Sequence, residues 1–204
     1  MKVEIVVFPG VEELDFVGFL ETLAVANRVT GGHHFEFELV GVQKGPVTCS
    51  GGMKVVPDRM LSEVTDFDLL FIPGGGASGG SGIETLLKNN DVLQMVAKSY
   101  DEGKRIWSVC TGALVLGKAG LLKGRRATTH HAYVDRIRAS GANVSWLRTV
   151  TDGRITTGGG ISSSIDVGLV LVEDELGVVT RREVESRMEY PPPYENVNNQ
   201  TPTR

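Results

Sequence analysis

The stretch Trp107-Ser108-Val109-Cys110-Thr111-Gly112-Ala113-Leu114 holds the residues best suited to chemistry. Its first half reads as a buried strand and its second half as a helix that starts without a connecting loop, which puts Cys110 at the corner. Such a corner strains the backbone of its residue and holds the side chain out above the sheet. The small Gly112 and Ala113 relieve crowding behind it. The sulfur would then lie near the positive end of a helix, where exposed N–H groups favour the thiolate, the form that attacks electrophiles. The plainer alternative is a small buried hydrophobe packed between strand and helix. Cys49, between Thr48 and Ser50 in what reads as a hairpin, has no helix behind it and is expected to be structural.

Asp15 stands just before apolar residues at helical spacing, Phe16, Leu20, Leu23 and Ala24, where an N-cap is expected. A cap, worth about 1 kcal/mol, would be role enough. Its place beyond the C-terminal end of the first strand suggests another. A carboxyl group meeting the thiol there could hydrogen-bond the sulfur, and burial would lift its pKa until it could shuttle a proton near neutrality.

Three other groups compete for roles. Gly74-Gly75-Gly76-Ala77-Ser78-Gly79 fits the dinucleotide pattern G-x-G-x-x-G and follows a strand. That pattern should open a helix in the first strand-helix unit, whereas this loop runs on through Gly80-Ser81-Gly82 late in the sheet, so nucleotide binding is set aside. Its better use is to aim backbone N–H groups around Gly75 and Gly76, with that of Thr111, at negative charge on a substrate atom beside Cys110. His130 follows the Thr128-Thr129 strand end and could be an accessory base for the thiol, although a capping or core role beside Ala132 explains it as well. Adjacent histidines should point apart, so at most one of His130 and His131 faces the site. No spacing of His, Asp or Glu brings three metal ligands together, and neither metal nor cofactor is expected.

The elements that must position these groups follow from periodicity. Val3 to Phe8 reads as a buried strand closed by Pro9-Gly10, Phe16 to Arg28 as a helix, and Phe35 to Val42 as a second strand. Val47 to Val56 reads as an antiparallel excursion through Gly51-Gly52. Asp68 to Ile72 is a further strand, Ile83 to Glu102 one or two helices, and Arg105 to Val109 the strand before Cys110. Ala127 to Thr129 is a short strand and Ala132 to Ala139 a helix. Val144 to Thr157 contains a hairpin with a type I′ turn at Asp152-Gly153. Ser162 to Leu176 is a long apolar helix, and a last helix runs from Thr180 as N-cap to about Glu189, ended by Pro191-Pro192-Pro193. Strands alternating with helices predict a doubly wound α/β fold, a mostly parallel sheet with helices on both faces, in one domain over residues 1–190 with a polar tail at 191–204. Ligands of such sheets bind beyond the carboxyl ends of the strands, where Asp15, the glycine loop and Cys110 all fall.

Bulk properties narrow the function. The chain has 204 residues, 26 of them glycine in clusters, and a net charge of −4 with both signs interleaved. That field repels phosphate backbones and anionic membranes, so neither nucleic acid nor membrane is an expected partner. The basic cluster Lys123, Arg125, Arg126 reads as a solvated turn. With no signal-peptide pattern, no apolar run near the ~20 residues of a span and two cysteines read as thiols, the expected setting is the cytoplasm.

Pro73-Gly74-Gly75, the elbow Val109-Cys110-Thr111-Gly112-Ala113 and Leu121 to His130 together resemble the ThiJ/PfpI superfamily, related in fold to class I glutamine amidotransferases, over nearly the whole chain. Glu13-Leu14-Asp15-Phe16-Val17-Gly18, Thr157-Gly158-Gly159-Gly160-Ile161 and the segment Glu189 to Tyr194 resemble the isocyanide hydratase branch. The resemblance implies a flavodoxin-like fold, a homodimer, and Cys110 as nucleophile with Asp15 as its carboxyl partner. The implied reaction is hydration of a small electrophile, an isocyanide, to an N-substituted formamide. Glyoxalase or deglycase action on 2-oxoaldehydes is the enzymatic alternative, although that branch carries glutamate at the Asp15 position. The protease-like branch has histidine where this chain has Thr111. A non-enzymatic cysteine redox sensor is the third reading. Gly18-Phe19 departs from the common Gly-Pro and would put a bulkier wall near the pocket.

Overall fold

Val3, Ile5, Val6 and Val7 are all buried, as expected of a parallel strand covered on both faces, and they form the centre of the sheet. The computed structural model describes residues 1–76 and 82–190. Its elements are, in chain order, β1 (Lys2–Val7), α1 (Glu13–Thr30), β2 (Glu36–Gly41), β3 (Val47–Thr48), β4 (Lys54–Val55), β5 (Arg59–Met60), β6 (Leu69–Ile72), α2 (Ile83–Lys88) and α3 (Asn90–Asp101). There follow β7 (Arg105–Val109), α4 (Gly112–Lys118), β8 (Arg126–Ala127), α5 (Val134–Ala139), β9 (Asn143–Val144), β10 (Thr149–Asp152), β11 (Ile155–Gly158) and α6 (Ser163–Arg187).

Seven strands make one sheet in the order β10-β11-β7-β6-β1-β2-β5, parallel except for the β10–β11 hairpin. The expected doubly wound α/β architecture is present. Strand order reverses at β1, whose neighbours are β2 on one side and β6 on the other. The loops leaving β1, β6 and β7 therefore meet at the switch point, where such sheets bind ligands. Gly74 and Cys110 lie on the loops after β6 and β7, and Asp15 lies just past the loop after β1.

Several boundaries differ from expectation. Helix α1 begins at Glu13 with Glu12 as N-cap, so Asp15 lies inside its first turn and is not the cap. Apolar periodicity starts only at Phe16, and it could not reveal a polar turn upstream. Between α2 and α3 the chain breaks at Asn89, whose side chain accepts from the N–H groups of Asp91 and Val92. The hairpin pairs Asp152 with Ile155, so its loop is Gly153-Arg154. Gly153 alone has positive φ there, which suits a II′ turn, with Gly first, better than I′. Asp152 is held back in the strand because its carboxylate accepts from Arg125 Nη1 and the Arg126 N–H. The break late in α6 falls at Gly177 (φ 83°), and Thr180 donates to the Leu176 carbonyl instead of capping a new helix. The tail at 191–204 lies outside the described residues; among the described residues no helix is long and apolar enough to cross a membrane.

α1 and α6 pack closely because small residues line their contact. A Cβ on Gly18 would overlap Ser164 Oγ, and one on Gly168 would come within 2.7 Å of Thr22 Cβ. The Phe19 ring stacks on Phe71 of β6, centroids 3.8 Å apart, and is fully buried. It is a core residue and not the pocket wall that its bulk suggested.

Candidate active site

Cys110 occupies the turn between the end of β7 and the start of α4, with φ 56°, a left-handed conformation that costs a non-glycine residue about 1–3 kcal/mol. Three hydrogen bonds hold it there. Its N–H is shared between the carbonyls of Gly158 (3.1 Å) and Gly159 (2.7 Å) at the end of β11, and its own carbonyl accepts from Thr129 Oγ1 at 2.7 Å. Behind it Gly112 must be glycine, because a Cβ would overlap the Ile72 carbonyl. The expected elbow is present, and the cysteine at its tip is only 6% exposed.

Asp15 reaches the same point from the first turn of α1. Its Oδ2 accepts from the Gly74 N–H at 2.7 Å, and Oδ1 is buried with no hydrogen-bond partner among the described residues. Burial pushes this carboxyl up to about 7; the Gly74 N–H opposes the rise, and the nearby Glu12 adds to it. The nearby Cys110 thiol, a weak S–H donor, draws that pKa down in turn. A side chain ordinarily ionised at neutral pH is thus poised to gain or lose a proton.

The thiol is raised as well. Burial first, and then the Asp15 carboxyl, push Cys110 up to about 12, against the opposing pull of the nearby backbone N–H groups of Ile161 and Thr111. The expectation that a helix N-terminus would make it a thiolate is therefore corrected. Helix α4 has only seven residues, and a helix terminus is worth ~0.3–1 kcal/mol at most sites, too little against burial beside a carboxylate. Burial thus pushes both groups toward their protonated forms, a thiol beside a carboxyl. When charge develops on sulfur, the two N–H groups already face it.

The glycine loop plays a different part from the one expected. Thr111 Oγ1 accepts from the Gly75 N–H and donates to the Gly75 carbonyl, both at 2.9 Å. The Gly75 N–H is therefore spent on the protein and is not free to bind substrate. Gly75 also bridges to Val11, and the Gly74 carbonyl accepts from the Glu12 N–H, so this loop is tied to both the elbow and the start of α1. Gly76 is exposed, and its carbonyl accepts from the Ile83 N–H. Ala77 to Ser81, with the last glycine of the G-x-G-x-x-G pattern, lie outside the described residues. Thr111 divides its functions, the backbone N–H toward sulfur and the hydroxyl toward the loop.

Ile161 was not among the expected site residues. Nothing in its side chain marks it, because the group it contributes is a backbone N–H; the only signal was its place directly after three glycines. His130 lies beside Gly160, where a Cβ would come within 2.7 Å of its ring. Its Nδ1 accepts from the Ala132 N–H and so caps a short 3-10 turn, and burial with the adjacent His131 holds its pKa below the usual value. The two rings stack at 4.3 Å instead of pointing apart, because the chain leaves the strand for that turn between them. Cys49 is buried in the β3–β4 hairpin, its thiol pushed up to about 11 by burial and by Glu13 and Glu12. Among the described residues no three His, Cys, Asp or Glu are grouped to hold a metal ion.

Known proteins share this arrangement of the chain. The DJ-1/PfpI family model matches residues 1–174. An isonitrile hydratase of Pseudomonas putida is 35% identical over 94% of this chain and 79% of its own. The deglycase TK1284 of Thermococcus kodakarensis is 31% identical over 75% of this chain and 86% of its own. The crystal structure of a ThiJ/PfpI family protein from Pseudomonas syringae superposes with a TM-score of 0.83 at 29% identity, over 95% of this chain and 77% of that one.

Proposed function

The chain belongs to the DJ-1/PfpI family, and from that premise we propose that it hydrates an isocyanide, R–NC, to the N-substituted formamide, with Cys110 as nucleophile and Asp15 as proton carrier. The observation that carries this reading is a fully buried carboxyl, pushed up by that burial, beside a buried thiol on a strained elbow. The similarity to an isonitrile hydratase over nearly the whole chain supports the choice of substrate class.

The isocyanide carbon accepts both a nucleophile and a proton, so a thiol and a carboxylate suffice. The Asp15 carboxylate takes the thiol proton as sulfur bonds to the terminal carbon, and then delivers that proton to the same carbon. The product is the thioimidate R–N=CH–S–Cys110. Water, deprotonated by Asp15, adds to this carbon while nitrogen gains the proton; the tetrahedral adduct then expels sulfur, which recovers its proton, and the formamide leaves. The N–H groups of Ile161 and Thr111 stabilise sulfur each time it carries charge. No electrons are exchanged with a cofactor.

A second reading has support in the deglycase relative: addition of the same thiol to a 2-oxoaldehyde, with a carboxyl moving a proton between carbons. Peroxide sensing fits less well, because a buried thiol held near pKa 12 offers little thiolate to oxidise. Assembly as a homodimer and a cytoplasmic setting are proposed on the resemblance, and sedimentation velocity tests the first.

The test is formamide formation from cyclohexyl or aryl isocyanide by the wild type, Cys110→Ala and Asp15→Asn. Turnover by the wild type that both substitutions reduce at least a hundredfold is expected. A wild type that makes no formamide but yields Cys110-dependent lactate from methylglyoxal would replace this reading with the second.

A further inference from the structure

Two helix openings converge on the Cys110 sulfur from separate parts of the chain. The opening of α1 presents the Asp15 carboxyl, with Glu12 nearby, and the opening of α6 presents the Ile161 N–H. Thr111 supplies its N–H from the elbow itself, and His130 stands behind Gly160. The sulfur can be served by both helices only while their first turns keep a fixed spacing.

Ser164 lies where that spacing is set. It is fully buried in the first turn of α6. Its backbone N–H donates to the Ile161 carbonyl at 3.2 Å, and its hydroxyl donates to the Leu14 carbonyl at 2.8 Å, across 150 residues of chain. Leu14 immediately precedes Asp15. The hydroxyl sits directly over Gly18, where any Cβ would overlap it, so the glycine makes room for this bond. We propose that Ser164 is a positioning residue that holds the Ile161 N–H and the Asp15 carboxyl in register on the Cys110 sulfur through its hydrogen bond to Leu14. This rests on Cys110 and Asp15 being the working pair, and not on the identity of the substrate.

Packing and hydrogen bonding at this contact are separable. Ser164→Ala removes the hydroxyl and leaves a small void over Gly18. The double variant Gly18→Ala with Ser164→Ala fills the void with a methyl group that stands 3.4 Å from the Cβ of residue 164 and 3.2 Å from Ile165 Cγ1, without restoring the bond. The readout is alkylation of Cys110 by iodoacetamide as a function of pH, followed by peptide mass, with thermal melting to establish folding. Asp15→Asn identifies the inflection that belongs to Asp15.

In both the single and the double variant, alkylation at pH 8 is expected to slow about fivefold, the order produced by loosening a hydrogen bond to a charged group. The Asp15 inflection should move to lower pH as the carboxyl gains water. Wild-type rate and inflection in Ser164→Ala, or their recovery in the double variant, would overturn the proposal and leave Ser164 a packing residue. Because alkylation needs no isocyanide, a wild type inactive toward isocyanides would count against the hydratase reading alone.

Discussion

The Gly74 N–H donates to Asp15 Oδ2 at 2.7 Å, and through this one bond the loop after β6 grips the carboxyl on α1. Residue 74 has no room for a side chain. A Cβ there would lie 2.7 Å from both the backbone N and Oγ1 of Thr111 and 2.8 Å from Asp15 Oδ2. Gly74→Ala must therefore push the elbow and the carboxyl apart. We expect a loss of about 1–3 kcal/mol, the usual cost of overpacking, read as a lowered melting temperature. Formamide turnover should fall more steeply than stability does.

The raised pKa of Asp15 makes stability and activity respond oppositely to pH. Below the ordinary value of 3.8 the carboxyl is protonated whether folded or not; between 3.8 and about 7 the native state keeps a proton that the unfolded chain has released. Stability from this group is thus lost as pH rises through that window. Asp15→Asn should be more stable than the wild type at pH 8, by roughly 2–4 kcal/mol, with the gain vanishing near pH 4. Urea denaturation at the two pH values measures it.

Activity needs the carboxylate. In the wild type kcat/KM should rise through a limb near pH 7 as Asp15 ionises, since only the carboxylate can take the Cys110 proton. Any residual activity in Asp15→Asn should lack that limb. A pH–rate profile of both proteins decides it.

Thr111 offers a test of the clamp on Gly75. Thr111→Val keeps the shape but strands a buried N–H and a buried carbonyl at once, each costing ~1–3 kcal/mol when left without a partner. Thr111→Ser keeps both bonds. The valine variant should melt well below the wild type and lose turnover, while the serine variant stays close to it in both.

Cys49 is expected to be silent. The residue is 4% exposed, its thiol is pushed up to about 11, and it lies in the hairpin that Glu13 ties to α1 through the Gly51 N–H. Cys49→Ala should leave formamide turnover within twofold of the wild type, and mild alkylation near neutral pH should leave Cys49 unlabelled.

Much of this protein could be read from residue order alone. Alternation of buried strands with helices announces a doubly wound sheet, because a parallel strand covered on both faces must be apolar at successive positions. The corner at Cys110 was visible too, since an apolar strand runs into small helical residues with no loop between. Asp15 could be singled out by its place after β1, although its position within the helix could not, because the turn that Glu12 and Glu13 open is polar and carries little apolar period.

What only the tertiary structure decided is the electrostatics and the donors. Whether the sulfur is thiol or thiolate depends on a balance between burial, a carboxylate and two N–H groups brought from distant segments, and that balance went against the helix terminus. The Gly75 N–H is committed to Thr111, and the Ile161 N–H comes to the sulfur itself, a place no residue type announced. Backbone donors carry no residue-type signature, so their direction is set by the fold and not by the letters. The Ser164–Leu14 bond, spanning 150 residues, is the extreme case: each partner is ordinary in sequence, and only the packing of α1 on α6 joins them.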